Sequence, residues 1–247
     1  MEKRIEICAN SLESALYAEE AKANRVELCA GMPEGGTTPS YGTIKLTCQQ
    51  LTIPVHVIIR PRGGDFHYSQ DELDIMREDI LLSKELGAAG VVIGCLTPEG
   101  DIDMKAMQYL MEVCEGLSVT FHRAFDMCRD AKKGLEQIIS LGCNRILTSG
   151  QEANALKGAE LLRSLVEQAN GRIIIMPGCG VSAKNIKEIS EITGASEFHL
   201  SARTDRASEM VYKNPNVSMG GTVVIDEYKI DYSSPEIIRN TIAALNK

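Results

Sequence analysis

Eight short apolar segments, separated mostly by helical patterns, are the feature that most constrains the fold of this chain. Their brevity and their β-branched residues predict strands, whereas the stretches between them repeat apolar residues with the period of a helix. The predicted strands are residues 4–8, 25–28, 54–60, 90–94, 117–122, 144–148, 172–176 and 196–200. Strands that alternate with helices form parallel βα units, so the fold class is α/β.

The helical patterns cover residues 11–23, 71–86, 104–114, 131–141, 155–169 and 183–193. Ser69 and Glu72 predict a capping box at the start of the helical pattern 71–86. Ser182 precedes the last pattern and is a candidate N-cap. Three of the patterns run into a glycine before the next strand, which predicts a left-handed residue after each helix: Gly87, Gly142 and Gly194.

The number of βα units and the 247-residue length predict one domain, residues 1–247, folded as a single (β/α)8 TIM-like barrel. An open doubly wound sheet is the alternative, but no G-x-G-x-x-G pattern follows the first strand. Two segments depart from the repeat. The connection 30–53 carries EGGTTPS before any helix, and the irregular stretch 202–233 precedes a closing helix that Ser234 caps and Pro235 begins.

Composition argues against nucleic-acid and membrane partners. The net charge is −8, aromatic residues make up 4% of the chain and Trp is absent, whereas nucleic-acid sites use basic patches and stacking rings. Apolar runs such as VVIGCL at 91–96 are too short to span a bilayer, and no N-terminal signal is visible. Eight cysteines without a CxxC motif fit a reduced protein with mostly buried thiols. We therefore expect a cytoplasmic protein.

Side-chain alternation along the strands predicts a polar barrel interior. Apolar residues occupy one face of each strand and suit the side that packs on helices. The opposite face carries eight ionisable or thiol side chains: Glu6, Cys8, Glu27, Cys29, His56, Arg60, His122 and His199. Burying unpaired charges costs several kcal/mol each, so this set predicts a functional cavity at the carboxyl ends of the strands rather than packing alone.

Two loops are candidate anion sites. MPGCGVSAKN at 176–185 has Gly178 and Gly180 before a helix, where free backbone N–H groups suit a phosphate, with Arg203 and Arg206 nearby in sequence. The alternative is an ordinary tight βα turn.

The second loop is RPRGGDFHYS at 60–69, which follows the third strand. Its Arg60 and Arg62 suit a clamp on a carboxylate or phosphate over the mouth of the barrel. The alternative is a solvated turn in which Asp65 pairs with an arginine.

Several strings in the chain resemble the CutC family, the so-called copper homeostasis proteins: RVELCA, EGGTTPS, IPVHVIIRPRGGDFHYS, TFHRAFD at 120–126 and RILTSGQ at 145–151. The resemblance runs from the first strand to about residue 203, and Cys179 stands where the family more often has Gly or Ala. It implies a cytoplasmic TIM-like barrel that self-associates as a dimer or tetramer and binds copper. The metal role carries over onto Cys8 and Cys29.

Three interpretations of the two cysteines remain open. In the first, which we prefer, Cys8 and Cys29 bind Cu(I) as thiolates and no organic cofactor is involved. Adjacent strands lie close enough for this, but the shear of a barrel could offset the thiols. In the second, the chain is an enzyme acting on a small anionic, even phosphorylated, metabolite. Its catalytic residues would be Glu6, Glu27, His122 and His199, and its ligand-binding residues Arg60, Arg62, Asp65, Arg123, Gly178, Gly180 and Arg203. In the third, both cysteines are inert core residues.

Overall fold

The computed structural model describes residues 3–220, 223 and 225–246. Eight parallel strands follow the order β7-β6-β5-β4-β3-β2-β1-β8, with β7 beside β8, and form a nearly closed barrel. They are β1 (Arg4–Ala9), β2 (Arg25–Leu28), β3 (Val55–Ile58), β4 (Gly90–Ile93), β5 (Ser118–Phe121), β6 (Arg145–Thr148), β7 (Ile174–Pro177) and β8 (Glu197–Leu200). Each strand overlaps its predicted segment, so the predicted TIM-like barrel is confirmed.

Helices alternate with the strands: α1 (Leu12–Glu20), α2 (Tyr41–Gln50), α3 (Gln70–Glu85), α4 (Met104–Met111), α5 (Ala131–Ser140), α6 (Ala159–Ala169), α7 (Ile186–Thr193) and α8 (Pro235–Leu245). The capping box of α3 is confirmed, because the Ser69 and Glu72 side chains each accept a backbone N–H of the other residue. The three predicted glycines after helices all have positive φ: Gly87, Gly142 and Gly194.

Two helix starts differ from the predictions. Ser182 is not the N-cap of α7; Asn185 holds that position, and its Oδ1 accepts the Ser182 N–H at 2.9 Å. Helix α6 begins at Ala159 rather than at 155, because Gly158 packs against the backbone of Ser149. A Cβ on Gly158 would lie 2.0 Å from the Ser149 carbonyl oxygen, so the chain packs closely against the residue that follows β6, and the helix begins directly after this contact.

The strand register brings the predicted inward residues together. Glu6 lies opposite His199 of β8 and Arg25 of β2, while Glu27 lies opposite Cys8 and His56. The alternate side chains of the same strands pack on the helices and form the main core, including Ile7, Val26, Leu28, Val57, Phe121 and Phe198. The predicted alternation therefore holds on these strands.

The chain leaves the barrel after β8. Strands β9 (Arg203–Ala207) and β10 (Lys229–Ser233) pair antiparallel in a separate two-stranded sheet, and Ser234 then caps α8, with Pro235 as its first residue. The closing helix is thus confirmed, and the segment predicted as irregular contributes both strands of this antiparallel sheet. Within the described ranges, no helix is both long and apolar enough to cross a membrane.

Candidate functional site

A cavity of about 110 Å³ opens at the carboxyl ends of the barrel strands. Ile58, Phe66 and Leu147 provide apolar parts of its wall. Seven of the residues singled out from the sequence also line it: Cys8, Glu27, Cys29, Arg60, His122, Arg123 and His199. Residues from five different strands or strand ends therefore meet in one small space, as the side-chain alternation predicts.

The two thiols of the cavity are close neighbours. Cys8 Sγ lies 3.6 Å from Cys29 Sγ, although the Cα partner of Cys8 in the neighbouring strand is Glu27. The barrel shear therefore offsets the two backbones, and the side chains bridge the offset. Cys29 is buried, its Sγ lies 3.4 Å from Glu27 Oε2, and Cys8 is half-buried. The two sulfurs and a Glu27 oxygen all lie within 4.8 Å of one another.

His199 joins this cluster to a deeper carboxylate. Its Nδ1 donates to Glu6 Oε1 at 2.8 Å, and its Nε2 lies 3.6 Å from Glu27 Oε2. Burial opposes a charge on His199, but Glu27 and hydrogen bonds with Cys8 and Glu6 outweigh it and raise the pKa of His199 well above its usual value. Burial likewise opposes ionisation of Glu6, yet Arg25 and His199 hold the pKa of Glu6 far below its usual range.

The pKa values of the two thiols and of Glu27 shift in different directions. The hydrogen bond with Cys29 lowers the pKa of Cys8 well below its usual value against the effect of burial, and His199 acts in the same direction. The same contact raises the pKa of Cys29, and burial adds to it. Burial raises the pKa of Glu27 to about 8 despite the nearby His199 charge. Cys8 is thus the more acidic of the two thiols, and Glu27 keeps its proton to a higher pH than an exposed carboxyl group does.

His122 has the opposite character to His199. The Ala124 backbone N–H donates to its Nδ1 at 3.2 Å, which leaves the ring proton on Nε2. Burial, and then Arg60, lower the pKa of His122 to about 3, so the ring is neutral. Among the described residues its buried Nε2 has no hydrogen-bond partner. The ring of Phe66 lies 5.0 Å away between centroids. His122 is therefore a neutral hydrogen-bond donor at the cavity.

A buried network of ion pairs lies near the amino-terminal ends of the strands, and it is not among the features predicted from the sequence. Arg25 donates to Glu6 and, from Nη2, to Glu197 Oε2 at 2.7 Å; Arg145 Nε donates to the same Glu197 oxygen at 3.1 Å. All four side chains are buried. Three of them occupy the first position of their strand: Arg25, Arg145 and Glu197. Each lies two positions before a residue whose side chain points into the barrel. Continuing the alternation back to the strand starts would have found them.

Both arginines of the loop after β3 form hydrogen bonds with protein groups. Arg60 Nη1 donates to the carbonyl oxygens of Glu34 and Gly36 at 2.7 and 2.8 Å, and Nη2 donates to that of Gly64 at 2.8 Å. The Arg62 guanidinium contacts the carboxylates of Glu72 and Asp65 and three backbone carbonyl oxygens. Arg62 and Asp65 do not line the cavity formed by the described residues. The pairing of Asp65 with an arginine is the geometry of the solvated-turn alternative.

The remaining predicted ligand-binding residues, Gly178, Gly180 and Arg203, are not among the described residues that line the cavity. Gly178 lets the chain after β7 lie close to the Leu147 side chain of β6, since a Cβ there would lie 2.4 Å from Leu147 Cδ1. Gly180 has φ +71°, and its carbonyl oxygen accepts the side-chain amide of Asn185. Arg203 begins β9.

Arg123 and Arg206 both have carboxylate partners. Arg123 Nε donates to Asp126 Oδ2 at 2.7 Å, although Arg123 also lines the cavity. Arg206 pairs with Glu13 at 2.8 Å on the outer surface.

Comparisons with known proteins agree over almost the entire chain. The family model described as "CutC family" matches residues 3–204. The family protein CutC of Bacteroides thetaiotaomicron is 59% identical over 243 residues, which cover 98% of both chains. The human copper homeostasis protein cutC homolog is 47% identical over 243 residues, or 98% of this chain and 89% of that one. A crystal structure of the putative copper homeostasis protein CutC from Streptococcus agalactiae is 42% identical and superposes with a TM-score of 0.77, covering 80% of this chain and 97% of that chain. The chain belongs to the CutC family.

Proposed function

We propose that this protein binds Cu(I) through the thiolates of Cys8 and Cys29 and acts in copper homeostasis. The observation that carries the proposal is the 3.6 Å separation of the two sulfurs at the cavity. The names of the human and streptococcal relatives, which refer to copper homeostasis, support the same assignment. The copper ion is the cargo in this proposal.

The donor chemistry fits a soft ion. Thiolates select Cu(I), whereas carboxylates suit harder cations. Two metal–thiolate bonds of about 2.3 Å can share one ion when the sulfurs are up to roughly 4.6 Å apart, and the observed separation lies inside that limit. Burial raises the pKa of Glu27 to about 8, so a Zn²⁺ ion bound through that oxygen would have to displace its proton.

The surrounding residues prepare the thiols for the ion. His199 faces Cys8 and stabilises its thiolate, while Glu6 and Arg25 hold His199 in place from below. The half-buried Cys8 gives the ion a route to the cluster, and the buried Cys29 completes the pair. Binding releases the proton of Cys29, because a thiol must ionise to act as a ligand.

An anaerobic Cu(I) titration against a competing chelator tests this proposal. We expect wild-type protein to bind one Cu(I) tightly and the Cys8→Ser, Cys29→Ser double variant to lose that binding. The matched control is the Cys48→Ser, Cys179→Ser double variant, since these are the other two half-buried thiols in the described ranges and neither lines the cavity. Glu27→Gln should leave the Cu(I) affinity within a few-fold of wild type.

Two results would overturn the assignment. Equal Cu(I) affinity in the two cysteine double variants would mean that the cavity thiols are not the site. Tighter binding of Zn²⁺ than of Cu(I), with the Zn²⁺ affinity lost in Glu27→Gln, would mean that the site binds a harder cation through the carboxylate.

A second candidate function, acid–base catalysis on a small anionic metabolite, is favoured by the protonation states of the cavity. Glu27 carries a proton near neutral pH and His199 is charged, so both are general-acid candidates. Glu6 stays ionised, so its role in such an enzyme is to position His199. Under this alternative Glu27→Gln abolishes turnover, while the Cys8→Ser, Cys29→Ser variant retains it.

A further inference from the structure

The cavity has a second side that the copper proposal does not use. Arg60 and His122 lie on it, each 4% exposed, and the ring of Phe66 contacts both. The Phe66 centroid is 5.0 Å from the Arg60 guanidinium carbon and 5.0 Å from the centroid of His122. These three residues therefore form one continuous patch of wall, and we refer to Arg60, Phe66 and His122 as the donor wall.

The charge of Arg60 on the donor wall is not balanced by a carboxylate. Its three Nη hydrogen bonds go to the backbone carbonyl oxygens of Glu34, Gly36 and Gly64. Within the described residues its buried Nε has no hydrogen-bond partner, and Arg60 forms no ion pair. Removing a cation from water without an anionic partner costs several kcal/mol. By contrast, the other cavity arginine, Arg123, pairs with Asp126. A buried cation with only neutral partners is a place where a ligand anion would bind.

His122 provides the directional part of the same wall. Its Nδ1 is committed as acceptor of the Ala124 N–H, so its Nε2 carries the proton. That Nε2 is buried and has no partner in the described part of the chain. An unmade hydrogen bond of a buried donor is costly, and buried donors in proteins nearly always have an acceptor. A metal ion cannot supply one, because it would need the lone pair that the proton occupies.

We propose that the cavity binds a small molecule through an oxyanion, which lies against Arg60 and accepts the Nε2–H of His122. The cavity of about 110 Å³ limits the ligand to a small acid, and the apolar Ile58 and Leu147 leave room for a short carbon skeleton beside the thiols. The oxyanion is a carboxylate or a phosphate group. This inference does not rest on copper binding, since it concerns Arg60 and His122 rather than the two thiols.

Chemical-shift titrations of ¹⁵N-labelled, reduced wild-type protein test the proposal. The probes are acetate, inorganic phosphate and acetamide, the last being a neutral analogue of acetate. We expect saturable shifts of the Arg60 and Ala124 amides and of the His122 Nε2 resonance with an oxyanion and none with acetamide. The stronger of acetate and phosphate identifies the oxyanion class.

A matched pair of His122 variants separates the donor from the fold. His122→Asn keeps an acceptor for the Ala124 N–H but has no donor at the Nε2 position, whereas His122→Gln places an amide N–H near that position. We expect Asn to weaken oxyanion binding by roughly tenfold to a hundredfold and Gln to retain most of it. Thermal unfolding of both variants checks that each is folded.

Equal binding of acetate and acetamide, equal affinity in His122→Asn and wild type, or the absence of saturable shifts with both oxyanions would overturn the inference. Cu(I) affinity measured on the same His122→Asn protein should equal that of wild type. A failure of the oxyanion site and a failure of the thiol site are thus separate results.

Discussion

His122 and His199 occupy comparable places, each at or near the carboxyl end of a barrel strand, yet their surroundings give them different charges. Burial, and then the charge of Arg60, lower the pKa of His122 so that the ring stays neutral, with its Nδ1 accepting a backbone N–H. His199 lies between Glu6 and the Cys8–Glu27 pair, so it holds two protons. Strand alternation predicts that both rings point inward. It cannot predict their protonation, which depends on neighbours from other strands and from a turn.

Arg25 is the residue on which the buried ion network depends, because it contacts two carboxylates at once. We expect Arg25→Met to lower the free energy of unfolding by about 3 kcal/mol or more, since it leaves buried carboxylates short of a partner. The control is Arg163→Met, which breaks an exposed i,i+4 pair with Glu167 and should cost about 0.5 kcal/mol or less. Urea unfolding curves measure both. Similar midpoints for the two variants would contradict the assigned role of Arg25.

At the scale of elements, the strands follow from the sequence because their apolar runs are short, continuous and bounded by turn residues. Helix α2 has no clear signal within the connection 30–53, and its sequence explains why. YGTIKLTCQQ contains a glycine and two threonines, which are weak helix formers, and buries few residues. The start of α7 was misplaced because both Ser182 and Asn185 are good N-cap residues, and only the fold of the preceding loop chooses between them.

Two glycines give a matched test of how elements pack. Gly90 begins β4, where a Cβ would lie 2.4 Å from the Ser118 carbonyl oxygen and 2.7 Å from His56 Nε2. Gly42 lies in α2 with nothing within 4 Å of its missing Cβ. We expect Gly90→Ala to destabilise the protein by about 1–3 kcal/mol and Gly42→Ala to stabilise it by up to about 1 kcal/mol. Thermal or urea unfolding distinguishes the signs, and a neutral Gly90→Ala would mean that the strand tolerates the contact.

At the scale of the whole molecule, the charged groups of the barrel interior acquire their partners only when the entire barrel folds. The presence of a polar interior follows from the sequence, because eight inward positions are ionisable or thiol residues. The partners do not follow, because Glu6 meets Arg25 and His199 only when the sheet curves until β1 lies between β2 and β8. Closure of the barrel, which is a property of all eight strands, therefore decides the chemistry of individual residues.

The buried protons also predict how stability depends on pH. Burial lowers the pKa of His56 and His122 to about 3 from a usual value of 6.5, so between these values the unfolded chain binds two more protons than the folded one. Glu27, with its pKa raised to about 8, opposes this with one proton above its usual pKa of 4.5. The three groups together leave the unfolded chain with about one proton more, and the lowered pKa of Cys8 adds to that difference, so the free energy of unfolding falls by about 1 kcal/mol or more for each pH unit from 6.5 to 5.

Urea unfolding at several pH values in that range measures the slope. The His56→Asn, His122→Asn double variant should lose it or reverse it, since Glu27 then remains as the main proton-linked group of the three. A wild-type protein whose stability is constant from pH 6.5 to 5 would show that the two buried histidines do not resist protonation.

The shared carboxylates of the ion network also restrict how this sequence can change over generations. Arg25 pairs with both Glu6 and Glu197, and Glu197 also pairs with Arg145, so replacing any one of the four removes a partner from at least one other buried charge. A lineage that exchanges this network for apolar residues must pass through intermediates less stable than either end point. We therefore expect these four positions to be retained or replaced as a group in descendants of this chain, while exposed pairs such as Arg163 and Glu167 drift independently.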